Sequence, residues 1–163
     1  TARCMTDDAT PRPPDAAHRR PDGADDDTVA AVGKLSEGWE WVERARGRLF
    51  DFHQLMGHAD ATIGEAADLL EAAGHRELAE RVRAEAVGRN VLRGRWTFQV
   101  VEEFDDEYYR PVAGIERLVR DELMDGKRHV YEAEMKERRR SSGRRAHESR
   151  PPAAHDERLP VER

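Results

Sequence analysis

The chain has 163 residues, of which 38% are charged, and 34 acidic against 28 basic side chains give a formal net charge of −6; the mean hydropathy is −0.92. That length holds one domain and not obviously two. The single cysteine, Cys4, excludes an internal disulfide framework and a cysteine-based zinc site. No run approaches the roughly 18–20 apolar residues of a membrane-spanning helix, and no apolar segment near the start reads as a signal peptide. The expectation is a cytoplasmic protein with no membrane partner.

The aromatic residues locate the folded part. All of them lie between Trp39 and Tyr131, and a core needs such groups. Residues 1–27 carry Pro11, Pro13, Pro14 and Pro21, and seven Asp against four Arg. So little apolar area predicts a disordered acidic tail. The helical domain is then 28–140. A disordered, basic, proline-containing tail is expected over 141–163.

Leu35, Val42, Leu49, Met56, Ile63 and Leu70 recur every seventh residue, and Gly38, Ala45, Phe52, Ala59, Ala66 and Ala73 follow three behind. This a/d heptad pattern, free of proline, predicts one amphipathic helix from Leu35 or earlier to Ala73. Either Asp27-Thr28 or Ser36 suits its N-cap. Trp41, Leu55 and Leu69 at g positions widen the stripe, which fits a helix packed against two neighbours. Gly74 suits the C′ stop. His75–Arg89 reads as a short helix with Leu78, Val82 and Ala86 inward. Val91–Arg95 is a loop.

Thr97 is the expected N-cap of a second stripe. One series runs Phe98, Asp105, Val112, Val119, Gly126, Ala133. The other runs Val101, Tyr108, Ile115, Glu122, His129. Pro111 lacks an N–H and clashes with the carbonyl four residues back, so the helix kinks or restarts there. Asp125-Gly126 is a second break. The architecture expected is all-α, with the short helix and the C-terminal helical segments folded antiparallel on the long helix as a hairpin or bundle.

For function, the wide stripe points to a non-enzymatic helical interaction or scaffold protein that self-associates or binds another protein. Trp39, Trp41 and Phe50 motivate this reading, because one seam does not obviously bury all three. Arg89, Arg93, Arg95 and Trp96 crowd one loop, which suits an anionic partner or pairing with the acidic stretch 102–107.

Two alternatives follow from charge. Glu65, Asp68, Glu102 and Asp105 come together under a rough antiparallel alignment, which suggests a ferritin-like divalent-metal site. The Glu-x-x-His motif of such sites is absent, and the plain expectation is no cofactor. Second, the run 136–150 holds seven basic against two acidic residues and suggests nucleic-acid phosphates as a partner. Nucleophilic catalysis has no support: Cys4 lies in the tail, the serines lack a strained turn, and no phosphate loop is present.

Overall fold

A computed structural model describes residues 13–141 together with Arg144 and His147. The expectations for Cys4 and for most of the C-terminal tail lie outside the described residues. The described elements are helical in order: α1 (Asp26–Ala72), α2 (Arg76–Glu85), α3 (Thr97–Phe104), a π-helical turn (Asp105–Tyr109), α4 (Arg110–Met124) and α5 (Val130–Arg139). Among the described residues there is no strand, only an isolated bridge between Leu92 and Arg95.

α1 begins earlier than either cap expected from sequence. The Asp25 carboxylate accepts the Thr28 N–H at 2.7 Å, which makes Asp25 the N-cap. The Thr28 side chain first, and its backbone N–H second, hold the Asp25 carboxyl below the usual carboxylate range by hydrogen bonding. The helix ends as predicted. Gly74, at φ 89°, donates to Glu71 O, and His75 N donates to Leu70 O at 2.8 Å. Together these form a Schellman closure, which favours glycine at its left-handed position.

The chain forms two compact units, one from the residues up to Ser36 together with Arg117 onward, the other from Glu37 to Glu116. The first packs Val29 and Val32 of α1 against Met124 of α4 and Val130 of α5, with Ala24 and Val119 alongside. Residues 13–25, which composition groups with the acidic tail, make specific contacts in this unit. Arg20 grips Glu134 through Nε (2.6 Å) and Nη2 (2.7 Å), and Lys127 donates to Arg19 O. Asp125 (φ 51°) and Gly126 (φ 71°) end α4 in the left-handed region. His129, at φ 57°, precedes α5.

In the second unit α2 turns back onto α1: Arg83 reaches both Asp68 and Glu71 at 2.7 Å. Its buried residue is Ala79, while Leu78, expected inward, is exposed. α3 and the π turn then run antiparallel to α1, since Thr97 meets His53, Asp105 meets Arg46 and Tyr109 meets Glu43. The antiparallel alignment expected from sequence sets Glu102 and Asp105 against Glu65 and Asp68. The register differs because α2 and its loop occupy the last turns of α1, so α3 starts only at the level of His53.

The π turn accounts for a second difference. Pro111 cannot bond the carbonyl of Glu107, and the chain widens so that Arg110 N–H donates to Asp105 O, five residues back. One extra residue in a turn rotates everything after it. Tyr109 and Glu116 therefore take the packed face, and Tyr108 and Ile115, expected there, are exposed.

A candidate interaction surface on the long helix

The inward side of α1 in the second unit is set by polar residues. Heptad positions e hold Arg46, His53 and Asp60, and each has a partner. Arg46 binds Asp105 with both prongs of its fork, Nε to Oδ1 at 2.7 Å and Nη2 to Oδ2 at 2.8 Å. Its guanidinium carbon also lies 4.5 Å from the Tyr109 ring centre and 4.8 Å from that of Phe50, a cation–π sandwich. His53 Nδ1 and Thr97 Oγ1 share a hydrogen bond of 2.6 Å. Asp60 accepts Gly88 N–H at 2.7 Å. Buried polar groups must be paired, so these bonds turn positions a and e inward and leave d and g outside.

The expected a/d seam is corrected accordingly. Trp41, Leu55 and Leu69 at g are 61%, 67% and 71% exposed, and Phe52 at d is 41% exposed. Ala45 and Ala66, also at d, are exposed between them. At about 100° per residue these side chains share one arc, roughly a third of a turn from the packed arc. They make a largely apolar stripe on a single helix, interrupted by Arg48 and Thr62 at the remaining g positions.

The aromatic residues singled out from sequence divide. Trp39 packs on Tyr109, centroids 4.9 Å apart, and Phe50 lies under Arg46, so both belong to the packed face. Trp41 stays on the stripe, with the Arg44 guanidinium carbon 4.7 Å from its ring centre. The loop residues divide too. Arg95 pairs with Glu103, as the second expectation for these arginines had it, and Arg93 is exposed. Trp96 Nε1 donates to Gly88 O at 3.1 Å, so Gly88 is pinned from both sides by Asp60 and Trp96. Thr97 does not cap α3: its hydroxyl is spent on His53, and the Gln99 side chain instead accepts Trp96 N–H at 2.8 Å.

This pinning shapes a cleft of about 570 Å³. Met56 and Ile63 of α1, Ala86 and Arg89 beyond α2, and Trp96 and Phe98 line it. Apolar walls with His53, Asp60 and Arg89 at hand can take an apolar group; Asp60 and Glu85 offset the arginine, which removes any strong bias toward anions.

The four carboxylates considered for a metal are not brought together. Asp68 is held by Arg83 and Asp105 by Arg46, Glu65 and Glu102 are exposed, and among the described residues no three His, Cys, Asp or Glu converge. Arg46 holds the Asp105 carboxyl below its ordinary range, chiefly through the hydrogen bond. Glu122 and His129, expected in the second seam, are both exposed. The left-handed residues at 125 and 126 end the helical phase between them. Of the basic run, Arg140 pairs with Glu137, Arg138 and Arg139 are exposed on α5, and much of the rest lies outside the described residues.

Fold and surface thus define an all-α chain with an apolar stripe left open on its longest helix. No described helix is long and apolar enough to cross a membrane. No known protein family, curated protein or solved structure matches the chain.

Proposed function

We propose that this chain is a non-enzymatic helical interaction protein that self-associates through the open stripe of α1. One observation carries the reading: Trp41, Phe52, Leu55 and Leu69 stand exposed on one arc of a regular helix whose other arc holds the partnered Arg46, His53 and Asp60. A large apolar side chain gains about 1.5–3 kcal/mol on full burial, and a contiguous apolar patch marks an interaction site. Among the described residues, Arg46, His53, Asp60 and Asp105 are each engaged by a partner on another segment of the chain.

Light scattering across a concentration series tests it. The wild-type mass should rise above 18.6 kDa toward a multiple. A Leu55→Glu/Leu69→Glu variant should stay at monomer mass with unchanged helical circular dichroism. A wild-type protein that is monomeric at millimolar concentration would overturn the self-association.

A further inference from the structure

We infer that the stripe is covered by the α1 helix of a second copy running antiparallel, with the two-fold axis passing between His53 and Gln54. This rests on the reading of α1 as a self-association surface and adds direction and register. The stripe alternates steps of four and three residues, Trp41, Ala45, Arg48, Phe52, Leu55, Ala59, Thr62, Ala66, Leu69. That is the spacing of a two-helix seam.

A parallel pairing places each residue on its own copy. It sets Arg48 against Arg48 in the seam and Trp41 against Trp41. An antiparallel pairing can slide only in steps of seven residues without breaking the seam, so few registers compete. In the register proposed, Phe52 packs on the partner's Leu55 and, by symmetry, Leu55 on the partner's Phe52. Trp41 lies over the partner's Ala66, and Leu69 over the partner's Gly38. Large groups meet small ones on both sides of the axis.

The flanking charges select the same register. Arg44 falls beside the partner's Glu65, and Asp51 beside the partner's His58, whose ring can donate to the carboxylate. One step in one direction puts Asp51 beside the partner's Glu65. One step in the other puts Asp51 beside the partner's Asp51 and Glu37 beside the partner's Glu65. Like charges across a seam exclude a register as effectively as good pairs select one. Arg44, Asp51, His58 and Glu65 are all exposed in the single chain; Asp51 holds Arg48 at 3.0 Å and Arg44 lies over Trp41, solvent-exposed contacts of the kind that contribute little and exchange readily for pairs across the seam.

Cysteine cross-linking decides the matter, in a Cys4→Ser background with sedimentation run on the same samples. Ala45→Cys/Thr62→Cys places two thiols about 25 Å apart along one helix, too far to join within a chain, but opposite each other across the inferred seam. Mild oxidation should convert the dimer to a covalent one. Ala45→Cys alone should not cross-link, because the two copies of residue 45 lie at opposite ends of the seam. Arg44→Glu should weaken association about three- to tenfold, and Arg44→Glu/Glu65→Lys should restore it. Cross-linking by Ala45→Cys alone means a parallel pair and overturns the inference. A dimer that neither variant cross-links also overturns it, while self-association stands. A monomer at every concentration removes both.

Discussion

Arg46 on α1 and Asp105 in the π turn are 59 residues apart in sequence and bound by two parallel hydrogen bonds of 2.7 and 2.8 Å. This pair fixes the register of the C-terminal helical run on α1. It also sits between Phe50 and Tyr109, so it holds the aromatic cluster together. Asp105→Asn keeps the shape and loses the charge. It should cost about 1–2 kcal/mol in urea unfolding at pH 7, a figure discounted because 30% of the Arg46 side chain remains in solvent. The folded carboxyl titrates below its unfolded value. Its contribution is therefore complete above about pH 4 and disappears as the pH falls through the folded pKa. The gap between wild type and Asp105→Asn should close in that acid range.

Tyr109 gives the opposite sign. Its hydroxyl donates to Glu43 at 2.8 Å, and this bond, followed by burial, raises the phenol above its ordinary value. The stabilisation is complete below about pH 10 and is lost as the pH rises through the folded pKa. Glu43→Gln should bring the Tyr109 transition in an alkaline absorbance titration back toward the ordinary value.

Glycines on α1 divide by what surrounds them. A Cβ at Gly33 would come within 2.8 Å of Tyr131 Cβ, whereas Gly47 and Gly64 face open space. Gly47→Ala and Gly64→Ala should each stabilise by about 0.5–1 kcal/mol from helix propensity alone. Gly33→Ala should destabilise by about 1–3 kcal/mol through overpacking. Tyr131→Ala removes the ring but keeps the Cβ that meets Gly33, so the Gly33→Ala penalty should shrink there without vanishing, whereas Tyr131→Gly should abolish it, which double-mutant cycles measure.

Pro111 is the origin of the π turn. Pro111→Ala restores the donor that a regular helix needs, and a regular helix turns Tyr109 away from Trp39. The near-ultraviolet circular dichroism of the Trp39–Tyr109 pair should fall. An unchanged signal would assign the turn to packing instead.

Arg20 ties residues 13–25 to α5. Its side chain is 28% exposed and that of Glu134 14% exposed, and the pair raises the Arg20 pKa beyond its already high value. Glu134→Ala should speed tryptic cleavage after Arg19 several-fold, read by mass spectrometry over time; the Arg20–Pro21 bond is not a tryptic site.

The helices themselves are legible in the sequence, and the reason is local. Heptads at 35–73, the glycine stop at 74, the break at Asp125-Gly126 and a disturbance of the helix near Pro111 all depend on residues within a turn or two of each other; the helix neither stops nor restarts at Pro111 but runs on through the π turn. The facing of α1 was not legible. Apolarity alone predicts that d positions point inward, but Arg46, His53 and Asp60 find their partners at Asp105, Thr97 and Gly88, distant in sequence, and those bonds outweigh it. Leu78 faces solvent for the same kind of reason: Ala79 is the α2 residue that is buried, and Arg83 reaches Asp68 and Glu71 of α1, contacts that the apolar pattern of α2 does not reveal. The stripe at Trp41, Leu55 and Leu69 was visible as an excess of apolar g positions. Its being left open depended on what the rest of the chain packs against.

The most direct test of the central claim is carbene footprinting of Leu55 and Leu69 in the wild-type protein, at nanomolar and at high micromolar concentration. Covered by a second helix, both residues should be labelled heavily when dilute and several-fold less when concentrated, while exposed Leu92 stays constant. Equal labelling of Leu55 and Leu69 at the two concentrations would contradict the account.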